Sequence, residues 1–256
     1  MELLAVGVLA FYAAGYFVLA GADLGTGMLF GYLGRGRAER RMVRLAIAPF
    51  FLTTEVWLVA TVGVVAGVFP ALEKPLIHGH YEAVVLLLAG WIIRDLGLWF
   101  YGGGGRVPLV AITAGSWAVA IAWGLVFSGI TGLSPLAGVP VVAALFCVHG
   151  LTFAALRLSG GPRERARRLS GASGERVAFA VTAGTMALLC LMTGSRLPLR
   201  DSVVEGAGLV PVLAVVTPLL VGAQVWVWWM FRRRVSPDDP DPLGAMPRAA
   251  QASSGT

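Results

Sequence analysis

Charge is what this sequence has least of. Only 13% of its 256 residues are Asp, Glu, Lys or Arg, about half the share of a soluble domain. Cysteine is nearly absent as well. Cys147 and Cys190 both fall in apolar stretches, so they read as small buried residues, and no disulfide is expected. The sequence has no CxxC or other soft-metal spacing, no Ser-His-Asp or Cys-His arrangement and no dinucleotide fingerprint. The glycines at 102–105 lack the lysine and the strand-to-helix context of a phosphate loop; they read as a tight turn. No internal repeat is visible.

What the chain has instead is hydrocarbon. It is 57% apolar with a mean hydropathy of +0.78. Seven segments, 3–33, 45–69, 81–101, 107–128, 137–156, 177–193 and 208–231, approach or exceed the roughly 20 apolar residues that cross a bilayer as a helix. A spanning backbone must satisfy its own hydrogen bonds, which dictates helices. Barrel strands would be shorter and would alternate in polarity. The expected fold is therefore all-α: a polytopic transmembrane bundle of about seven spans. The first segment has no basic leader and is too long for a cleavable signal, so it is expected to stay as an anchoring helix.

The net charge of +6 points to no nucleic acid, because its distribution explains it. With the N-terminus outside, the inner segments 34–44, 102–106, 157–176 and 232 onward hold 16 of the 20 basic residues. The outer loops hold Lys74, Arg196 and Arg200, and Arg94 lies inside a span. That asymmetry is the positive-inside rule with an odd number of helices: N-terminus outside, C-terminus cytoplasmic. Trp226, Trp228 and Trp229 ahead of Arg232, Arg233 and Arg234 make an interfacial belt and a stop. One membrane domain covers 1–234. Residues 235–256, rich in Pro, Asp, Ala and Ser, are expected to be a disordered cytoplasmic tail, and 159–176 a solvated Arg-rich connector.

Small residues mark helix contacts. Gly21 and Gly25, and Gly27 and Gly31, have the small-xxx-small spacing that lets backbones approach; ordinary glycine use is the plainer reading. Ionisable residues inside spans are costly, and each is a functional candidate. There are five: Asp23, Glu55, Arg94, Asp95 and His149. At a rise of about 1.5 Å per residue, Asp23 lies roughly 18 Å from the inner surface, Glu55 roughly 16 Å, and Arg94 and His149 roughly 12 Å. Asp23, Glu55 and Arg94 are therefore expected to form one buried polar cluster. It serves either as a proton path or as a structural cross-link among three helices. His149 is either a haem ligand or a histidine hydrogen-bonded to a neighbouring helix. His78 and His80, near Glu73 and Glu82, read as a solvated outer loop, and no metal site is expected.

The stretch Gly21-Ala22-Asp23-Leu24-Gly25-Thr26-Gly27-Met28 resembles the first helix of subunit II of cytochrome bd-type quinol oxidases. Gly34-Arg35, Glu39-Arg40-Arg41, Ala48-Pro49, Val56-Trp57-Leu58 and Phe69-Pro70 follow in that family's order. The resemblance implies a haem-free subunit that binds no cofactor directly and is not catalytic alone. It would pack in a prokaryotic cell membrane beside subunit I, which carries haem b and haem d and oxidises quinol with reduction of dioxygen to water. Small accessory membrane subunits, lipid and quinone are further implied partners. Subunit II of the family supplies scaffold and, in some members, acids of a proton path. This chain departs from the pattern: Ala20 and Leu52 stand where the family has acids, and Glu55 where it has an amide. Its second half is expected to lack a helix or two. The alternative reading is a small-solute carrier or channel with Asp23, Glu55 and Arg94 at its binding site, although carriers usually show inverted repeats.

Overall fold

A computed structural model describes residues 2–101, 105–170, 174–204 and 209–239. Among them most of the chain is helical, without a named strand. Its helices are α1 (Glu2–Met28), α2 (Phe30–Leu33), α3 (Arg37–Val68), α4 (Pro70–Glu73), α5 (Tyr81–Phe100), α6 (Arg106–Thr131), α7 (Pro135–Arg157), α8 (Gly160–Ser170), α9 (Glu175–Gly194) and α10 (Leu209–Met230). Six of them, α1, α3, α5, α6, α7 and α9, are long and apolar enough to cross a membrane. The seventh expected segment coincides with α10, which carries Pro218 and contains the shorter apolar helix Val215–Met230.

The bundle is organised around α1, which packs against α3, α6, α7 and α9, while α5 lies along α6. Glycine decides how closely two of these pairs approach. A methyl group on Gly25 would overlap the Phe146 carbonyl of α7, and one on Gly150 would overlap the Gly25 backbone. The two backbones meet with nothing between them, as small residues allow in lipid. The same holds for α5 and α6, where a Cβ on Gly90 would lie 3.0 Å from the Gly115 carbonyl. Gly21 abuts the His149 ring and Gly27 abuts Ser116. Gly31 does not meet the expectation of a helix contact: nothing lies within 4 Å of its would-be Cβ. The helix breaks at Leu29, and the short α2 turns Gly31 outward.

Hydroxyls inside the spans bond back along their own helices, as Thr26 does to the Ala22 carbonyl (2.8 Å), Ser116 to that of Ile112 (2.7 Å) and Ser128 to that of Gly124 (2.7 Å). A donor in hydrocarbon is thereby satisfied locally. One core joins Tyr12, Tyr16, Phe17, Phe127 and Phe146. A second, toward the Arg-rich end, joins Phe30, Leu33, Ile47, Leu98, Ile112 and Leu158.

The Arg-rich end corrects the expectation of a solvated connector at 159–176. Residues Gly160–Ser170 form α8, with Pro162 and Ala166 buried. Arg165 of α8 donates to the Leu33 carbonyl and pairs with Glu39, tying α8 to α2 and α3. Of the expected tail, residues 235–239 are described and are held in place. The Val235 amide donates to the Arg157 carbonyl (2.7 Å), and Ser159 Oγ donates to the Val235 carbonyl (2.8 Å). Arg157 donates to the Arg233 carbonyl (2.7 Å), and Arg41 donates to the carbonyls of Pro237 and Asp239. Residues 240–256 lie outside the described residues, as does most of the expected turn at 102–105.

Candidate functional site

The ionisable residues of the spans fall into two groups. The first surrounds a small cavity of about 20 Å³ between α1, α3, α5 and α6, room for a single water. Tyr16 and Asp23 of α1, Thr54 and Glu55 of α3, and Trp91 and Arg94 of α5 supply its polar wall. Tyr16 and Asp23 share one face of α1 because they lie seven residues, about two turns, apart.

Arg94 is the hub. It is 2% exposed, as is Asp23. Its guanidinium forks, with Nη2 3.3 Å from Asp23 Oδ2 and Nη1 2.9 Å from Asp95 Oδ1. The fork lies over the Phe51 ring, 6.0 Å from its centroid, which adds a cation–π contact to the pairing. Gly115 makes this depth accessible: a Cβ there would come within 2.8 Å of Arg94 Cβ. The Trp91 indole donates to Glu55 Oε1 (2.9 Å). Glu55 and Asp95 are both half-buried. Above Asp23, the Trp123 indole donates to the Tyr16 hydroxyl (3.1 Å), which leaves the tyrosine's own proton for the cavity.

Asp23, Glu55, Arg94 and Asp95 thus meet in one place. Asp23 and Asp95 pair with the one guanidinium, and Glu55 lines the same cavity. Tyr16, Trp91 and Thr54 were not singled out from the sequence. The signal for Tyr16 was its seven-residue spacing from Asp23. Trp91 stands three and four residues before Arg94 and Asp95, one turn of the same helix.

The second group is His149, apart from the first. Its Nε2 donates to the Val18 carbonyl (2.9 Å), and its Nδ1 therefore accepts from the Thr182 hydroxyl (2.7 Å). The ring stacks on Phe179 with centroids 4.8 Å apart. His149 cross-links α1, α7 and α9. With both nitrogens engaged it does not fit a haem iron, which needs one of them free. At the opposite end, His80 Nδ1 lies 3.2 Å from the Leu76 carbonyl. Among the described residues no three His, Cys, Asp or Glu side chains are grouped to hold a metal ion.

A family model described as cytochrome bd terminal oxidase subunit II matches residues 1–237. The chain is 29% identical over 181 residues to the cytochrome bd ubiquinol oxidase subunit 2 of Bacillus subtilis (strain 168), covering 61% of this chain and 53% of that protein. It is 37% identical over 94 residues to the cytochrome bd-I ubiquinol oxidase subunit 2 of Escherichia coli (strain K12), covering 37% of this chain and 24% of that one. A probable cytochrome oxidase subunit 2 of Haemophilus influenzae is 27% identical over 192 residues, 61% of this chain and 49% of that protein. The matched stretches thus span about half or less of these relatives' lengths.

Proposed function

We propose that this chain, which belongs to the cytochrome bd terminal oxidase subunit II family, is the haem-free subunit of a membrane quinol oxidase and lends that complex a proton path. The supporting observation is the cluster of Asp23, Glu55, Asp95 and Arg94, built on three helices within the part of the chain that matches the family. The complex would lie in the cell membrane of a prokaryote, with the Arg-rich end of this subunit in the cytoplasm and its N-terminus outside. Haem b and haem d would reside in the partner subunit I, where quinol is oxidised and dioxygen reduced.

Reduction of dioxygen to water consumes protons, which must reach a site buried in the membrane. Glu55 and Asp95 offer two half-buried carboxyls as proton acceptors. Arg94 touches Asp95 and Asp23 through its two terminal nitrogens. A proton arriving at the half-buried pair would leave Arg94 free to turn its charge toward Asp23. One leaving Asp23 would draw the charge back. Tyr16, at the cavity's far wall, supplies a hydroxyl that can both donate and accept. Trp91 fixes the Glu55 carboxyl for the exchange.

The test is to capture the chain from its native membrane in mild detergent and record a reduced-minus-oxidised optical spectrum. Haem b and haem d bands with a larger co-purifying membrane subunit are the expected result. Within that complex, Glu55→Gln should slow quinol-driven oxygen uptake while leaving the haem spectrum unchanged. A haem-free chain without a partner would overturn the proposal and favour the carrier reading.

A further inference from the structure

At the Arg-rich end, one carboxylate serves three guanidiniums. Glu175 stands in the first turn of α9. Arg163 Nη2 lies 2.7 Å from its Oε1, Arg234 Nη2 2.6 Å from its Oε2 and Arg167 Nε 3.7 Å from its Oε1. Three positive charges meet one negative, so two are in excess. Arg163 and Arg167 lie four residues apart and share one face of α8, while Pro162 and Ala166 bury the neighbouring face. Arg157 adds a further charge. It is 4% exposed, donates to the Arg233 carbonyl (2.7 Å) and lies over the Phe50 ring, 5.3 Å from its centroid. Arg232 stacks on Trp229, also at 5.3 Å. Among the described residues no carboxylate pairs with Arg157, Arg232 or Arg233.

This cluster sits where three apolar helices end, α7 at Arg157, α9 at Glu175 and α10 at Met230. Phe179 and Trp228 hold α9 to α10 there, with ring centroids 5.7 Å apart. The outward faces of both helices are apolar. Val177 and Val181 on α9, and Trp226 and Trp229 on α10, are each more than half exposed. Tryptophan followed by arginine at the end of an apolar helix marks the headgroup level of a bilayer. α9 also begins at Gly174, which has no side chain to cap the first-turn amides, so its positive end adds to the charge. A ligand suited to this place is anionic at the arginines and hydrocarbon along the two helices. A free anion meets only the first requirement. A zwitterionic lipid brings its own cation to a site already in positive excess.

We infer that the arginine cluster of α8, α9 and α10 binds the phosphate headgroup of an anionic phospholipid of the inner leaflet, whose acyl chains lie along α9 and α10. Each guanidinium has five donors, and Glu175 takes only part of them, so a phosphate binds without breaking the pairs. The inference needs this end of the chain to lie at the inner membrane surface, as proposed above. It does not need the oxidase reading.

The test uses the whole assembly, purified from its native membrane and stripped of lipid by detergent exchange. Phosphatidylglycerol, phosphatidylcholine or inorganic phosphate is added, and bound lipid is counted by native mass spectrometry. Two excess charges should favour phosphatidylglycerol over phosphatidylcholine by roughly tenfold to thirtyfold. Arg163→Gln with Arg167→Gln should abolish that preference, and Arg163→Lys with Arg167→Lys should keep most of it. Arg35→Gln with Arg37→Gln, exposed beside the start of α3, should leave it within about twofold. Equal retention of the two lipids, a preference that survives in the Arg163, Arg167 glutamine pair, or inorganic phosphate displacing phosphatidylglycerol at equal concentration would overturn the inference. So would an equal loss in the Arg35, Arg37 pair, which would mean diffuse surface charge and no site. The lipid preference in a preparation without haem would uphold the site and overturn the oxidase reading; haem bands without the preference would do the reverse.

Discussion

Removing the guanidinium of Arg94 takes from the cluster the only cation that the structure places in it. In Arg94→Ala, Asp23 loses its partner at 3.3 Å and Asp95 loses one at 2.9 Å, and Asp23 is left 2% exposed. Breaking a buried ion pair from one side costs about 3–5 kcal/mol, because the remaining charge is uncompensated. Asp23 limits that loss by taking up a proton, so the lower end applies, about 3 kcal/mol. That corresponds to roughly a hundredfold shift in the folding equilibrium, at tenfold for each 1.4 kcal/mol. Unfolding in mixed detergent by denaturant titration measures it, provided the transition is reversible. The mutant is then combined with Asp23→Asn. Removing the stranded carboxyl should return part of the loss, with a coupling of about 1–3 kcal/mol. A loss below about 1 kcal/mol, the range of an exposed pair, with strict additivity in the double mutant, would refute the claim that these residues act as one buried unit.

Three further outcomes follow from the packing. Tyr16→Phe keeps the ring against Phe17 and Trp123 but removes the acceptor of the Trp123 indole. It should cost about 1 kcal/mol, measured by the same titration, and slow oxygen uptake with a larger solvent isotope effect; unchanged turnover would remove Tyr16 from the path. Gly150→Val drives a side chain into the α1 backbone at Gly25 and should cost at least about 1–3 kcal/mol, read as a lower thermal midpoint and lower recovery; wild-type values would disprove the close approach. Glu175→Gln weakens the pairing with Arg163 and Arg234. It should cost no more than about 1 kcal/mol but speed hydrogen exchange at the Val235 amide, and unchanged exchange would show that the strap does not depend on this carboxylate.

Span positions were legible because hydrocarbon length and hydrogen-bond satisfaction leave a membrane chain few choices. That Asp23, Glu55 and Arg94 come to one cavity follows from counting the helix rise from the Arg-rich loops, which set a ruler along each helix. What the ruler could not supply was rotation about the helix axis. Arg94 and Asp95 are neighbours in sequence and point about 100° apart, so nothing in the spacing joined them; the long arginine folds back across that angle. Gly31 followed the spacing of Gly27, but the break at Leu29 changed the face it presents. The helix α8 was hidden by composition. Its Arg-rich composition read as a solvated connector, yet the helix starts at Gly160-Gly161-Pro162, and Pro is well suited to the first turn of a helix. The arginines of α8 bind the ends of other helices rather than water alone, as Arg165 does at the Leu33 carbonyl.

The departures from the family pattern gain a physical meaning from the polar cavity. In that pattern an acid falls at position 52, where this chain has leucine. Leu52 is 46% exposed on the outer row of α3, in line with Val56 and Val59. An acid there would sit on that exposed row, without the Trp91 indole that anchors Glu55. Moving the acid three residues on rotates it about 60° around the helix and raises it about 4.5 Å. That displacement turns Glu55 toward Trp91, whose indole donates to it. The exchange of Leu52 for an acid and Glu55 for an amide therefore does more than conserve the number of carboxyls on α3. It withdraws the acid from the exposed row and sets it on the wall of the cavity that Asp23 and Arg94 also line.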